Sequence, residues 1–419
     1  MPDGRIVALR HTLHAHPELS GHETETKKRL MEFIKEHTGL GILDRGAWFC
    51  AYKIPEADAG GPESAAGPAC GETREAESRM PGLAGGIAFR ADFDALPVPE
   101  TIDLPYASQN EGVSHKCGHD GHAAALCGLA LALSEAEVRV PVWLIFQPAE
   151  ETGEGGEACA EILNEKGVRR VFAFHNRSGY PEGAVVVSSS LTQCASRGLT
   201  VRFTGRTSHA SEPENGRNPA AALAEMVRAA EELAGTMRAA GEPAETMRTA
   251  EKMVTRELAA GHDRLILCTV VDLSLGRKDF GVSPGEGEIS FTLRADRDED
   301  LSALEEDIRR HAEALAKEGG FAVSFEVHDP FPETRNDPEC AALVRAAARR
   351  NGFRVFDMET PWRASEDFGW YLKACPGAMF YIGNGEHYPA LHTPEYDFND
   401  RILDTAVRMF VTLLEETEP

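Results

Sequence analysis

One short segment of the chain carries an unusual density of reactive side chains. From Ser114 to His122 it reads Ser-His-Lys-Cys-Gly-His-Asp-Gly-His, which places a thiol, three imidazoles and a carboxylate within nine residues. Thiolate, imidazole and carboxylate together form the ligand set of zinc-like divalent metals, and Gly118 and Gly121 let the backbone approach a bound object closely. Taken alone, the segment is also compatible with a histidine-rich surface loop. Its interpretation therefore depends on further ligands elsewhere in the chain.

Polar candidates for those further ligands follow four predicted strands. They are Asp92 with Asp94, Glu150 with Glu151, His175 and, after a longer loop, His392. Parallel strands bring their carboxyl ends to one edge of a sheet, where open α/β folds place their sites. Polar side chains that recur at the ends of successive predicted strands are more easily explained by one shared site than by unrelated polar residues.

The adjacent glutamates favour a hydrolytic metal site. Such a site needs a base beside a water whose pKa the metal lowers to roughly 7. One of Glu150 and Glu151 can bind metal while the other takes the proton, provided that positive charge offsets their repulsion. On its own, such a pair is more often a solvated loop corner, and a lone histidine such as His175 is more often structural.

A different chemistry would use Cys117 and His119 as a nucleophile and its base. Residues two apart on one short segment rarely bring sulfur and imidazole into productive contact, so this alternative is disfavoured.

Composition limits the class of protein. The 419 residues indicate two domains, and a formal charge of −25 argues against nucleic acid or an anionic membrane as a partner. No apolar run approaches the roughly 20 residues that span a bilayer, and residues 1–20 lack the layout of a secretory signal. The nine scattered cysteines fit free thiols in a reducing compartment. We therefore expect a cytoplasmic protein.

The hydrophobic pattern indicates two architectures in one chain. Strands alternate with helices over residues 86–174, which predicts a parallel sheet between helices. From about residue 195 the order becomes β-α-β-β-α-β, the signature of a ferredoxin-like domain. The α/β pattern then resumes after residue 330. The prediction is an α/β domain formed by residues 1–194 and 330–419, with residues 195–329 inserted as a second domain.

Two segments depart from this pattern. Residues 56–80 are rich in Gly, Ala, Pro, Ser and Glu, which predicts a mobile surface insertion whose Cys70 is not structural. Residues 236–240 and 246–250 form a near-repeat, Thr-Met-Arg-Ala-Ala and Thr-Met-Arg-Thr-Ala. Two copies are too few for a solenoid, so we expect a helical extension.

The assembled motifs resemble the metal-dependent amidohydrolases of the aminoacylase–carboxypeptidase family. The branch in question contains hippurate hydrolases, auxin-conjugate hydrolases and N-acetyl-diaminopimelate deacetylases. The matching segments occur in family order over nearly the whole chain: residues 13–20, 89–97, 117–122, 146–151, 175, 205–210, 365–368 and 391–394.

This resemblance implies a zinc-exopeptidase-like catalytic domain, with a mixed, largely parallel sheet sandwiched by helices, and an inserted lid that mediates homodimerisation. It implies two divalent metal ions (Zn, Mn, Co or Ni) bound by Cys117, His119, Glu151, His175 and His392. Glu150 would be the general base. Asp92 would orient a ligand histidine through its other ring nitrogen. His209 of the lid, assisted by Asn218, would stabilise the oxyanion.

The expected reaction is hydrolysis of the amide of an N-acyl amino acid or short peptide, and the alternative is a dipeptidase or carboxypeptidase of the same chemistry. A catalytically silent binding protein is disfavoured because the base and all five ligands are present. Arg206, Arg217 and Arg363 are candidates for binding a substrate carboxylate. The chain departs from many relatives at 56–80, 176–183 and 207–216, so the resemblance defines the chemistry better than the substrate.

Overall fold

The computed structural model of the chain describes residues 2–55, 85–236 and 265–417. The predicted insertion at 56–80 lies outside the described residues, as does almost all of the near-repeat. Contacts divide the chain into two compact units. The first comprises Met1–Thr192, Thr334–Pro361 and Asp367–Pro419, and the second comprises Gln193–Glu333 and Trp362–Glu366.

An eight-stranded mixed sheet organises the described part of the first unit. Its strands, numbered along the chain, are β1 (Gly41–Asp44), β2 (Phe49–Lys53), β3 (Ile87–Asp92), β4 (Val142–Gln147), β5 (Arg170–Ser178), β6 (Val185–Val187), β15 (Val355–Asp357) and β16 (Gly377–Gly385). Their order is β1-β2-β4-β3-β5-β16-β6-β15. The central strands β4, β3, β5 and β16 are parallel, whereas β1 and β2 add an antiparallel edge. The carboxyl ends of the parallel strands therefore meet at one edge.

Strand β4 shows why the sheet is covered on both faces. Successive strand residues point to opposite faces; Val142, Leu144 and Phe146 belong to the main apolar cluster, while Trp143 and Ile145 face the other way and are equally inaccessible. A strand buried on both sides needs helices on both faces of the sheet.

Helices of the first unit supply that cover. They are α1 (Gly4–Ala15), α2 (Thr24–His37), α3 (His119–Glu135), α4 (Gly155–Lys166), α7 (Pro338–Arg350), α8 (Gly369–Ala374) and α9 (Leu403–Thr417). Helix α3 packs against α1, α2 and α9, whereas α4 packs against α8. Short strands β7 (Leu191–Gln193) and β14 (Thr334–Arg335) pair separately.

The second unit has its own sheet and core. Strands β8 (Ala195–Thr204), β10 (Ile266–Leu275), β12 (Glu286–Ala295) and β13 (Ala322–Phe331) pair in the order β10-β12-β8-β13. Helices α5 (Ala220–Thr236) and α6 (Asp298–Gly319) pack on this sheet, and β9 (Ser208–His209) pairs with β11 (Val282–Ser283). The chain order β8-α5-β10-β12-α6-β13 is the β-α-β-β-α-β arrangement of a ferredoxin-like fold.

The predicted fold class, a mixed and largely parallel α/β sheet with a ferredoxin-like α+β unit, is confirmed. Several elements extend beyond the segments that the sequence predicts; β5, for example, continues to Ser178, so His175 lies within the strand instead of after it. Over the described ranges, the helices are too short or too polar to cross a lipid bilayer.

Candidate metal centre

The fold brings the reactive segment to the carboxyl edge of the central sheet. Asp92 is the last residue of β3 and is in register with Gln147, the last residue of β4. Helix α3 begins at His119, directly after Gly118, which caps it in the left-handed conformation with φ +106°. This turn lets the chain pass from the ligand segment into the helix without a loop.

The Cys117 thiol lies between two imidazoles. Its Sγ is 3.4 Å from Nε2 of His175 and 3.3 Å from Nε2 of His392. Cys117 is buried, whereas the side chain of His392 is 53% exposed. A sulfur flanked in this way can donate to one or two cations that the imidazoles also reach.

His119 lies close to the paired glutamates, on the other side of the candidate site from the Cys117 thiol. Its Nε2 is 3.7 Å from Oε2 of Glu150 and 3.7 Å from Oε1 of Glu151. The same Glu151 oxygen is 3.6 Å from Nε2 of His392. Donor atoms of Cys117, Glu151 and His392 thus lie within 4.8 Å of one another, as do those of His119, Glu150 and Glu151.

The residue that orients His119 is Asp94, and this differs from the expectation for Asp92. Nδ1 of His119 contacts the Asp94 carboxylate at 3.0 Å and its carbonyl oxygen at 3.1 Å. Asp92 instead accepts from Nδ1 of His122 at 2.6 Å and lies 3.9 Å from Nε2 of His119. Asp92 is the last residue of β3, and Asp94 comes two residues after it. The Asp94 carboxylate therefore reaches Nδ1 of His119, the ring nitrogen that does not face the glutamates.

The backbone that presents the two glutamates is held by other carboxylates. The amide of Ala149, which has φ +51°, donates to Glu23 at 2.7 Å. The amide of Glu151 donates to Asp94 at 3.0 Å. Asp94 therefore positions both His119 and Glu151, and Glu23 stabilises a left-handed residue directly before Glu150.

Burial and charge shift the acid–base equilibria of the cluster. Burial raises the pKa of the Glu151 carboxyl to about 7, and burial together with the Glu151 and Glu150 carboxylates raises the pKa of the Cys117 thiol well above its usual value. Burial alone would lower the pKa of His119, but Asp92 and Asp94 raise it to about 10. Ligation requires deprotonated thiol and imidazole, so metal binding would be coupled to proton release.

The donor set fits a divalent cation. Nε2 of His119 and Oε1 of Glu151 are buried and have no hydrogen-bond partner among the described residues. Buried polar atoms are rarely left in this state. Their separation of 3.7 Å, with a thiol and two further imidazoles alongside, suits a thiolate- and nitrogen-binding metal.

The remaining predicted residues belong to the second unit. His209 ends β9, is exposed, and contacts the Ser211 hydroxyl through Nδ1 at 2.7 Å. The side-chain Nδ2 of Asn218 donates to the Ser283 hydroxyl at 3.3 Å. The three arginine candidates are also exposed: Arg206, Arg217 and Arg363.

Sequence reasoning missed residues that hold the ligands in place. The side chain of Asn176 donates to the Cys117 carbonyl at 3.1 Å, and its Oδ1 lies 2.6 Å from Nε2 of His122, which makes Asn176 the link between the ligand segment and Asp92. The sequence gives one signal for His122, which follows His119 by three residues and so shares its helix face. The only signal for Asn176 is its place beside His175, among the polar residues at the end of a predicted strand.

Comparison with known proteins gives relatives over nearly the full length of the chain. The chain is 28% identical over 412 residues to N-acetylcysteine deacetylase of Bacillus subtilis (strain 168), covering 98% of this chain and 96% of that protein. It is 28% identical over 417 residues to N-acetyl-L-cysteine deacetylase of the same organism, covering 96% and 89%. A dinuclear metal-binding peptidase of the M20 family, also from Bacillus subtilis, superposes with a TM-score of 0.71 at 25% identity, covering 98% of this chain and 96% of that chain.

The family model of peptidase family M20/M25/M40 matches residues 88–416. This span includes the ligand segment, both glutamates, His175 and His392. The resemblance inferred from the motifs is therefore confirmed, and the chain belongs to peptidase family M20/M25/M40.

Proposed function

We propose that this member of the M20/M25/M40 peptidase family, a metal-dependent hydrolase of amides, cleaves N-acylated amino acids or similarly small acylated peptides. The two Bacillus subtilis relatives with deacetylase names support this substrate class. The observation that carries the proposal is the position of Glu150 and Glu151, whose carboxylates both lie 3.7 Å from Nε2 of His119.

Because two carboxylates lie beside one imidazole, one of them can bind metal while the other accepts a proton. Glu151 is proposed as a metal ligand, together with Cys117, His119, His175 and His392. A bound divalent metal would acidify a water molecule and polarise the scissile carbonyl. Zinc, manganese, cobalt and nickel all suit this donor set to differing degrees.

Glu150 is proposed as the general base. Its side chain is buried and its Oε1 accepts from the Asp367 amide at 3.4 Å. This contact leaves Oε2 directed toward His119. From there the carboxylate would take a proton from the attacking water and return it to the leaving amine.

The supporting carboxylates have distinct proposed roles. Asp94 fixes the tautomer and orientation of His119 by accepting at Nδ1. Asp92 holds His122 and, through it, Asn176. We propose that His209 stabilises the oxyanion. The exposed arginines are proposed as candidates for binding the substrate carboxylate. A homodimer formed through the second unit is likewise a proposal.

The test is a Glu150→Gln variant assayed on a panel of N-acyl amino acids and free dipeptides. The amide keeps the shape of the carboxylate but loses its basicity, so kcat should fall by about 10²- to 10⁴-fold, while metal content stays unchanged. Glu154→Gln, an exposed change on the same loop, is the matched control and should leave kcat within about twofold.

Two outcomes would contradict the proposal. Full activity in Glu150→Gln, or after exhaustive metal removal, would exclude the mechanism. Turnover of free dipeptides without turnover of N-acyl amino acids would retain the mechanism but replace the substrate class with that of a dipeptidase.

A further inference from the structure

Lys116 stands directly before Cys117 in the reactive segment, yet the proposed mechanism gives it no part. Its side chain is completely buried, with 0% of its surface exposed. Lysine is almost never fully buried unless it is paired, because removing the ammonium from water costs free energy. The partners of this ammonium therefore indicate what the residue does.

The ammonium is bound by one carboxylate and one main-chain carbonyl. Nζ donates to the Glu100 carboxylate and to the carbonyl oxygen of Tyr396, the latter at 2.7 Å. Glu100 is fixed in turn by the amide of Ser108 at 2.7 Å and by Nε2 of His14 at 3.0 Å. The ammonium is thus a rigid attachment point for the chain at Tyr396.

The main chain of Lys116 holds the other end of the same loop. Its carbonyl oxygen accepts from the amide of His392 at 2.8 Å. One residue therefore contacts residues 392 and 396, and so closes a five-residue loop at both ends. The next residue along the chain, Cys117, carries the sulfur that lies 3.3 Å from the His392 ring.

His392 is a residue whose backbone needs such support. It has φ +63°, in the left-handed region that is unfavourable for a residue with a Cβ. Such a conformation persists only where surrounding contacts determine it. The half-exposed ring of His392 offers little packing of its own, so the loop contacts must fix its direction.

We propose that Lys116 is a positioning residue for the candidate metal centre, holding the 392–396 loop at both ends so that the His392 ring is directed at the Cys117 sulfur. This inference rests on the proposed assignment of His392 as a ligand. It concerns how one ligand is held and adds no residue to the chemical step.

The test uses Co²⁺ titration of metal-free protein, followed by absorbance and calorimetry. Lys116→Met keeps most of the side-chain volume and removes the ammonium. We expect Co²⁺ affinity at one site to fall by about 10- to 100-fold, the range found when residues that support metal ligands are changed. Lys53→Met is the matched control, since Nζ of Lys53 also donates to main-chain carbonyls, those of Leu133 at 2.7 Å and Ala136 at 2.6 Å. It should leave Co²⁺ affinity unchanged.

A double-mutant comparison separates positioning from general destabilisation. If Lys116 acts through His392, Lys116→Met should cause no further loss of Co²⁺ affinity in a His392→Ala background, because coupled residues are not additive. Hydrogen exchange of residues 392–396 in the metal-free protein should also be faster in Lys116→Met, while exchange in α9 stays the same.

Unchanged Co²⁺ affinity in Lys116→Met, or losses that add to those of His392→Ala, would overturn the proposal while leaving the ligand assignment intact. Unchanged affinity in His392→Ala alone would overturn the ligand assignment and this proposal with it. If Lys116→Met does not fold, Lys116→Gln, which keeps a donor, replaces it. Failure of both to fold would make Lys116 a requirement of the fold and overturn the positioning role.

Discussion

At the scale of single residues, a buried charged cluster stands behind the candidate metal centre. His14 lies at its middle, with Nδ1 2.8 Å from Asp120 and Nε2 3.0 Å from Glu100. Arg10 contacts Asp120 and also donates to Asp397 at 2.7 Å. An imidazole between two carboxylates is stabilised in its charged form, so this cluster couples the fold to pH.

His14 should make stability fall as the pH rises from about 6.5 to 9. Burial alone would lower the pKa of His14, but the Asp120 and Glu100 carboxylates raise it to about 9. A group whose pKa is higher in the folded state stabilises the fold fully below its unfolded pKa, here 6.5, and this contribution is lost as pH passes the folded pKa. The two values correspond to about 3 kcal/mol.

Urea unfolding of metal-free wild type and His14→Gln at pH 6, 7.5 and 9.5 measures this contribution. The difference in the free energy of unfolding should be largest at pH 6 and shrink toward pH 9.5. His22→Gln, at an exposed imidazole, should change stability by no more than about 0.5 kcal/mol at each pH. A difference between wild type and His14→Gln that is constant with pH would refute the titration.

The candidate metal ligands and the candidate base were more accessible to sequence reasoning than the residues that hold them in place. Cys117, His119 and the two glutamates have side chains whose chemistry limits what they can do, and they fall in motifs. The supporting contacts join positions far apart in the chain, such as Lys116 to Tyr396. No local pattern encodes such a contact, which is also why the carboxylate that contacts Nδ1 of His119 was expected at Asp92 instead of Asp94.

At the scale of elements, the start of α3 determines the site. The alanine- and leucine-rich composition of residues 122–134 predicts a helix there, but the helix begins three residues earlier, at His119. Tertiary packing decides the outcome: an added Cβ at Gly121 would lie 2.4 Å from the Phe398 ring, so this helix turn sits directly against that side chain. The extra turn places His119 and His122 on one face, with ring centroids 5.4 Å apart.

Gly118→Ala should disrupt the centre as well as the fold. The residue has φ +106°, and its added Cβ would lie 2.3 Å from Oδ1 of Asn176, which must then move away from the Cys117 segment. Gly352 has φ +74° and nothing within 4 Å of the added atom. Gly352→Ala should therefore lose only the free energy of placing alanine in the left-handed conformation, about 1–2 kcal/mol.

Urea unfolding and Co²⁺ titration of both variants compare these costs. Gly118→Ala should lose more stability than Gly352→Ala and should bind Co²⁺ at least about 10-fold more weakly, whereas Gly352→Ala should bind it normally. Equal stability losses with normal Co²⁺ binding in both would show that the close approach of Gly118 to Asn176 has no role in the site.

At the scale of the whole molecule, the chain holds two cores with separate membership. The first includes Leu144 and Phe410, and the second includes Leu199 and Phe291. Alternation of strands and helices was sufficient to predict both sheets. The shortest strands of the large sheet were not predicted, since segments of three or four residues such as β1, β6 and β15 carry too few positions to show a period.

Separate cores predict separate unfolding transitions, which calorimetry can resolve because multi-domain chains commonly depart from two-state behaviour. Leu144 and Leu199 are both completely buried, one in each core, so Leu144→Ala and Leu199→Ala form a matched pair. Each should cost about 2–5 kcal/mol and lower the midpoint of a different transition.

The candidate ligands all belong to the first unit. Divalent metal should therefore raise the midpoint of the transition that Leu144→Ala lowers and leave the midpoint of the other transition unchanged. A single transition that both substitutions lower equally would show that the two units unfold cooperatively, and a metal-induced rise of the Leu199-sensitive transition would place a ligand in the second unit.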